Sequence, residues 1–304
     1  MKKIDNKILF LSLFLGIILY LGFNSPLRAD EEMRAFPADP VPQIVKAVPI
    51  DHDFTFVGER VPLENFDVLE RLDRELIINT YRHSSTLQIL KNSKRYFPLI
   101  ERIFKEQGIP EDFKYLLVAE SAFQNATSSA GAKGFWQFMK SAAKEMGLEV
   151  NKEIDERYNI EKSTLAACKY IRQNFNRFGN WTLAAAAYNI GPTKLKSELK
   201  NQEESSFYNL NLNSETSRYL FRILAFKEIL SNPEKFGYYL SPQDFYQPLD
   251  QYYLVEVDTT IPSLAKFAHE HGTTYRMLKI YNPWLKSSRL PDKSRRKYYI
   301  KIPK

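Results

Sequence analysis

Apolar residues recur at three- and four-residue spacings from about residue 63 to residue 230, which is the pattern of helices that bury one face. One such segment, 67–109, stops before Pro110, and another, 160–179, ends at a glycine, the residue typical of helix C-caps. No alternation of strands and helices interrupts the pattern. The sequence therefore predicts an all-α domain over residues 66–232.

Two further segments complete this helical domain. Residues 181–192 form a run rich in alanine that ends at Gly191-Pro192. Residues 214–230 follow the helical period and end before an Asn-Pro pair, and Ser214 or Thr216 is expected to cap the N-terminus. Both segments are predicted to be helices.

The pattern is different on either side of this domain. Residues 30–65 are rich in proline and charge and are predicted to be an extended tether that ends in a strand-like "FTFV". Residues 233–250 have no period and are predicted to be a linker. Residues 251–304 read as strand, helix, helix and strand, which predicts a small separate βααβ domain.

The N-terminus carries a targeting signal. Lys2, Lys3 and Lys7 precede an uncharged apolar run over residues 8–23. We interpret residues 1–29 as a signal peptide or a signal anchor that sends the rest of the chain out of the cytoplasm. Cleavage after Ala29 and retention of the apolar run as a membrane tether both stay open.

The composition limits the chemistry. The formal charge of +7 suggests an anionic partner, which could be nucleic acid, a membrane surface or a cell-wall polymer. Export argues against nucleic acid, and the basic residues 293–297 are predicted to be a solvated turn. The single cysteine, Cys168, excludes an internal disulfide and a thiolate metal cluster, and it is expected to be buried. We expect neither a metal nor a cofactor.

One carboxylate lies on an apolar helix face. A helix that begins at Pro110 places Phe113, Leu116, Leu117 and Glu120 on the same side. Burial disfavours the charged form of a carboxylate and raises its pKa, and a glutamic acid protonated near neutral pH can act as a general acid on a glycosidic bond. Pairing with an arginine, or capping a buried backbone group, is the structural alternative.

Two motifs that follow fit a sugar-binding cleft. A turn with two glycines, 128–134, is followed by "FWQFM", which provides either an aromatic platform with an amide or, through Trp136 and Phe138, part of the core. The sequence "AAAAYNIGP" brings Tyr188 and Asn189 to the end of a helix, where Asn189 could equally satisfy the helix terminus.

In their order, "ESAFQNATSSAGAKGFWQFMKSAAKEMGL" and "AAAAYNIGP" resemble lytic transglycosylases with a goose-lysozyme-like fold, of the membrane-bound lytic murein transglycosylase D type. The resemblance covers roughly residues 95–230. It implies a mainly α, lysozyme-like catalytic domain in which Glu120 is the sole catalytic acid/base. It also implies a set of glycan-binding residues, with Ser129 as a competitor for the first position: Ser128, Gln137, Met139, Tyr188 and Asn189.

The resemblance also explains the use of one carboxylate, since a conventional glycosidase needs two. The family cleaves the bond between N-acetylmuramic acid and N-acetylglucosamine and leaves a 1,6-anhydro end. Acids at 155–156 stand beside Arg157, which indicates an internal ion pair. A hydrolase of the same fold and a non-catalytic wall-binding protein remain alternatives.

Residues 251–304 resemble a LysM module, which implies binding to N-acetylglucosamine in peptidoglycan. The usual glycine-aspartate pair before the first helix is Val257-Asp258 here, and a structural role against the catalytic domain is the alternative. Together these features predict a protein of the periplasm or cell envelope whose partner is the glycan strand. Residues 8–23 would associate it with the inner or outer membrane.

Overall fold

The computed structural model describes residues 45–291 and 296–304. The apolar run at 8–23 and most of the basic turn at 293–297 lie outside these residues. Within the described part of the chain, none of the helices has the length and apolar character needed to cross a bilayer. Residues Ala47–Lys304 form one compact unit.

This unit contains ten helices and four strands within the described ranges, and four short 3₁₀ turns connect some of them. They are, in chain order, β1 Thr55–Phe56, β2 Glu59–Arg60, α1 Phe66–Tyr81, α2 His83–Gln107, α3 Phe113–Ser121, α4 Lys140–Glu145, α5 Ile160–Phe178, α6 Trp181–Ile190, α7 Pro192–Asn201, α8 Ser214–Ser231, β3 Tyr252–Val257, α9 Leu264–Glu270, α10 Tyr275–Tyr281 and β4 Tyr298–Pro303.

The helical body is organised around α8. This helix packs against α1, α3 and α6, while α5 packs against α6. Leu72 of α1 and Leu220 of α8 are completely buried between the helices. Burial of one such side chain contributes about 1.5–3 kcal/mol. The apolar stripes read from the sequence therefore form the core between α1 and α8.

Several helix boundaries differ from the prediction. The segment 67–109 is two helices, because the backbone of Arg82 leaves the helical conformation between α1 and α2. The helix expected from Pro110 begins at Phe113, because the carbonyls of residues 110–112 accept backbone hydrogen bonds from three residues ahead, as in a 3₁₀ turn, rather than from four. The Asp112 carboxylate accepts hydrogen bonds from the backbone N–H of Val57 at 2.6 Å and from the ammonium of Lys227 at 2.8 Å.

The N-cap of α8 is Asn213, so the prediction of Ser214 or Thr216 was wrong. The side-chain oxygen of Asn213 accepts hydrogen bonds from the backbone N–H groups of Glu215 and Thr216. Asn213 has the extended backbone that a cap residue needs, with φ of −60° and ψ of 159°, whereas Ser214 and Thr216 already lie within the helix.

The end of the predicted tether belongs to the helical body. The β1–β2 hairpin pairs Thr55 with Arg60, and Phe54 and Phe56 on the same segment are buried in the main core. Glu59 accepts hydrogen bonds from the first two backbone N–H groups of α6, at 2.7 and 2.8 Å. This contact places a carboxylate at the positive end of that helix.

Residues 251–304 form the predicted βααβ fold. Strands β3 and β4 are antiparallel, in a register that pairs Tyr252 with Pro303 and Val257 with Tyr298. Its core of apolar side chains also includes Ile154 and Tyr158 from the helical body. Backbone hydrogen bonds complete the contact, from Asp155 N–H to the carbonyl of Trp284 at 2.9 Å and from Lys286 N–H to that of Glu153 at 2.8 Å.

Candidate active site

Glu120 lies near the C-terminal end of α3, on the face predicted from the sequence. The three apolar side chains of that face, Phe113, Leu116 and Leu117, are fully buried. Glu120 is half-buried, because the helix carries it to the wall of a cleft. Ala122, in the left-handed region with φ of 49°, ends the helix. The short helix thus anchors the carboxylate against the core and exposes it on one side.

A tyrosine on α8 holds the Glu120 side chain. The hydroxyl of Tyr219 donates a hydrogen bond to Oε1 of Glu120 at 2.5 Å. Burial raises the pKa of Glu120 to about 7, while the Tyr219 hydrogen bond lowers it, the charge of Glu215 raises it and the charge of Arg222 lowers it. Desolvation outweighs the opposing effects. A carboxyl with this pKa can both donate and accept a proton near neutral pH.

The cleft has a volume of about 430 Å³. Glu120, Ser128 and Gln137 all line it, so two of the predicted glycan-binding residues share one space with the candidate acid. Other lining residues come from α1, α2, α3 and α8, from Arg82 between α1 and α2, and from the segment after α3. The polar ones among them are Glu75, Asn79, Arg82, Ser85, Thr86, Ser121, Thr127, Arg218 and Arg222.

The turn that carries these two polar residues is rigidly shaped. The Ser128 hydroxyl accepts a hydrogen bond from the backbone N–H of Ala132 at 3.0 Å. Gln137 has a φ of 46°, and its amide donates to the carbonyl of Gly134 at 2.7 Å. A non-glycine residue in this left-handed conformation is strained, a feature that concentrates at functional sites. Ser129 is exposed and does not line the cleft.

Gly134 allows the turn to touch a neighbouring segment. Its φ is +78°, and a Cβ atom built there would lie 2.0 Å from the carbonyl oxygen of Arg157. Arg157 in turn pairs with Asp155 at 2.7 Å and donates to the carbonyl of Phe138 at 3.1 Å, and both charged side chains are buried. The predicted internal ion pair is confirmed, and it supports the turn from behind.

The aromatic residues of "FWQFM" belong to the core. Trp136 is fully buried, and its indole N–H donates to the hydroxyl of Thr164 at 2.9 Å. Phe138 is buried as well. The interpretation of these rings as an exposed platform for a sugar was therefore wrong, and the alternative, a role in packing, is confirmed.

The remaining predicted residues lie beside the cleft rather than among its lining residues. The Tyr188 hydroxyl donates to the carbonyl of Trp136 at 2.8 Å, and burial followed by the charge of Glu120 raises the pKa of Tyr188 well above its usual range. Asn189 accepts a hydrogen bond from the hydroxyl of Thr216 at 2.9 Å. Met139, at the start of α4, is 44% exposed.

Sequence reasoning missed the contribution of α8. Tyr219, rather than Tyr188, makes the direct hydrogen bond to Glu120, and Arg218 and Arg222 line the cleft beside it. In the sequence, residues 214–230 show only the apolar period of an amphipathic helix, which does not indicate a role in the site. One signal was available on α1, where Glu75 sits on the apolar stripe between two leucines, as Glu120 does on α3.

Comparison with known proteins agrees with this geometry. Residues 98–211, which include Glu120 and both motifs, match the family of transglycosylase SLT domains. The matched residues run from within α2 to just before α8. Residues 253–304 match the family of soluble lytic transglycosylase C-terminal LysM-like domains. The predicted combination of a mainly α, lysozyme-like domain with a small LysM-like domain is confirmed.

Individual relatives carry related descriptions. The membrane-bound lytic murein transglycosylase D of Escherichia coli K12 is 29% identical over 260 residues, which are 83% of this chain and 55% of that protein. The protein of the same name from E. coli O6:H1 gives the same values. The chain thus spans about half the length of these relatives. The structure of the 70 kDa soluble lytic transglycosylase of E. coli superposes with a TM-score of 0.40 at 17% identity, covering 61% of this chain and 37% of that one.

Proposed function

We propose that this protein is an exported peptidoglycan lytic transglycosylase. It cleaves the β-1,4 bond between N-acetylmuramic acid and N-acetylglucosamine and leaves a 1,6-anhydro end. The observation that carries the proposal is the Glu120 carboxyl, which lies in a cleft of the SLT domain with a pKa raised to about 7. The relatives named lytic murein transglycosylases support the substrate class.

The reaction uses Glu120 twice. The protonated carboxyl first gives its proton to the glycosidic oxygen, and the bond from that oxygen to C1 of the muramoyl residue breaks. The muramoyl C6 hydroxyl then bonds to C1, and the Glu120 carboxylate takes the hydroxyl proton. The enzyme thus returns to its starting state. A pKa near the working pH suits both steps, because neither proton transfer is then strongly uphill.

A second catalytic carboxylate is not needed in this mechanism. Among the described residues that line the cleft, Glu75 is the only carboxylate besides Glu120. Its two oxygens face the Nε atoms of Arg218 and Arg222, at 2.5 and 3.5 Å. Because each oxygen faces a guanidinium group, this carboxylate is not free to attack C1 of the sugar or to orient a water. The cleft therefore suits a substrate hydroxyl as nucleophile better than the paired carboxylates of a conventional glycosidase.

The glycan strand would lie along the cleft beside Glu120. Ser128 and Gln137 line it and would contact the sugar directly. Met139 would contribute its exposed thioether next to the turn, and Tyr188 and Asn189 would stabilise the wall behind the bond that is cleaved. The LysM-like domain would add affinity for the N-acetylglucosamine units of the same polymer.

The location follows from the substrate. Murein lies in the cell envelope, and the apolar run at 8–23 would direct the chain there or tether it to a membrane. The net charge of +7 favours contact with the anionic wall.

Mass spectrometry of muropeptides released from purified sacculi tests this function. We expect wild-type products lighter by one water than hydrolysed muropeptides, and no release by Glu120→Gln. Glu64→Gln, which changes a glutamate with a 63% exposed side chain outside the cleft, serves as the matched control and should keep full activity. Products that contain the added water would make the enzyme a hydrolase, and wall binding without release would make it a non-catalytic glycan-binding protein.

A further inference from the structure

Two arginines on α8 share one buried carboxylate on α1. Glu75 is completely buried, whereas Arg218 and Arg222 stand one helical turn apart with side chains that are 25% and 27% exposed. All three line the cleft that contains Glu120. A carboxylate in this position must be paired, because an isolated buried charge is strongly unfavourable. One arginine would have satisfied that requirement.

The geometry leaves donors available. The Nε of Arg218 contacts one oxygen of Glu75 at 2.5 Å, and the Nε of Arg222 contacts the other at 3.5 Å. Each guanidinium has five N–H donors in a planar fork. The terminal nitrogens of both side chains have no hydrogen-bond partner among residues 45–291 and 296–304. Glu75 thus holds both guanidinium groups through their Nε atoms, and their terminal nitrogens remain available to a ligand in the cleft.

The charges of the cleft favour an anion. Its described lining residues include Arg82, Arg218 and Arg222 against Glu75 and Glu120, so positive charge is in excess whether or not Glu120 is ionised. The exposed Glu215, at the start of α8, is near enough to act on Glu120 but does not line the cleft. A guanidinium fork matches the planar geometry of a carboxylate and can bind it through two parallel hydrogen bonds.

We infer that Arg218 and Arg222, oriented by Glu75, form a carboxylate-binding site in the cleft, and that it holds the carboxylate borne by the muramoyl side chain of the substrate. This inference rests on the proposed function. The carboxylate has two sources, the peptide stem or the lactyl group itself when the peptide has been removed. In either case the site would select muramoyl units and would align the strand relative to Glu120.

Three forms of one glycan preparation test the site. The first keeps its peptide stems with free carboxylates, and the second has every carboxylate converted to a neutral amide. The third has been stripped of peptides by an amidase and retains only the lactyl carboxylate. We expect the wild type to prefer the first form to the second, and activity on the third form to show whether the lactyl group or the stem supplies the anion.

Arg222→Gln is the informative variant, because Arg218 still pairs with Glu75. We expect kcat/KM on the free-carboxylate strands to fall by about 10- to 100-fold, mainly through KM, the loss typical of a hydrogen bond to a charged group. On the amidated strands, which lack the anion, kcat/KM should fall much less, so the preference for free-carboxylate over amidated strands should shrink by about the same factor. Arg222→Lys, which keeps the charge but loses the fork, should fall between the two. Arg102→Gln, at an exposed position outside the cleft, should match the wild type.

An equal loss on charged and amidated strands, or no loss on either, would overturn the carboxylate site while the proposed activity stands. If Arg222→Gln does not fold, the comparison is made with Arg222→Lys. If the wild type cleaves none of the strands, the proposed function fails instead, and equilibrium binding of labelled free and amidated strands decides the site. Preferential binding of the free carboxylates that Arg222→Lys weakens would support it, and equal binding would overturn it.

Discussion

Replacing Tyr219 by phenylalanine removes the hydrogen bond to Glu120 and changes little else. Tyr219 is 2% exposed, and its ring packs in the α8 core, so phenylalanine keeps the packing. The lost hydroxyl donates to Oε1 of Glu120 at 2.5 Å, and this bond lowers the pKa of Glu120. Without this hydrogen bond, the effect of burial on Glu120 is opposed less strongly, and the pKa of Glu120 rises further.

The size of the effect follows from the hydrogen bond. A bond to a charged group contributes about 1.5–3 kcal/mol, and one pKa unit corresponds to about 1.36 kcal/mol. The pKa of Glu120 should therefore rise by roughly 1–2 units above its value of about 7. Because the first proton transfer needs the protonated form, the fall in kcat/KM at alkaline pH should move upward by the same amount.

The assay is the pH dependence of kcat/KM for release of muropeptides from soluble glycan strands. The shape of the profile reports the pKa of the free enzyme, whatever the absolute rate. Tyr115→Phe is the matched control, because its hydroxyl contacts Ser231 at 3.1 Å and not Glu120. A Tyr219→Phe profile whose alkaline midpoint is unchanged or lowered would refute the assignment of this hydrogen bond.

Three further predictions concern stability. In the folded protein the Glu120 carboxyl has a pKa of about 7, against an ordinary value of 4.5, so the wild type loses stability as pH rises between these two values. Glu120→Gln should therefore stabilise the protein by at most about 3 kcal/mol above pH 7 and have little effect below pH 4, as measured by urea unfolding. Gly134→Ala should cost roughly 2–4 kcal/mol in the same assay, from the clash with the Arg157 carbonyl and the positive φ. Asp155→Asn should cost about 3 kcal/mol or more, since it leaves Arg157 buried without its charge partner.

A specific result would contradict each of these three stability predictions. A stability difference for Glu120→Gln that does not change with pH would mean that burial does not perturb the carboxyl. Gly147→Ala is the control for Gly134→Ala, because Gly147 has a φ of +98° and open space where a Cβ would lie, so it should cost only about 1 kcal/mol. Equal losses at the two glycines would exclude the clash. An Asp155→Asn variant as stable as the wild type would remove the ion pair as a support of the turn.

The segment behind the turn at 128–134 also contacts the LysM-like domain. The segment 153–158 contributes Ile154 and Tyr158 to the core of the LysM-like domain and Arg157 to the back of the active-site turn. The two domains therefore meet at a segment that also shapes the cleft. The LysM-like domain has a structural contact with the helical body, in addition to the glycan binding proposed for it.

Local patterns in the sequence determined a large part of this result. The apolar period located the helices, and it placed Glu120 on the same face as Phe113 and Leu116, because side chains at i, i+3 and i+7 of one helix share a side whatever surrounds it. The strand–helix–helix–strand order of residues 251–304 and the Asp155–Arg157 pair were also readable, since both depend on residues close together in the chain.

Only the tertiary structure decided which distant residues complete the site. Tyr219 lies 99 positions from Glu120, and Glu75 lies 143 positions from Arg218, so no periodicity connects them. The packing of α1 and α3 against α8 brings them together. Trp136, whose motif had suggested an exposed platform, is buried by contacts with Phe104 of α2, Thr164 of α5 and Tyr188 of α6. A local pattern specifies which way a side chain points on its own helix, but the neighbour that it meets, and so its pKa and its chemistry, is set by how the helices pack.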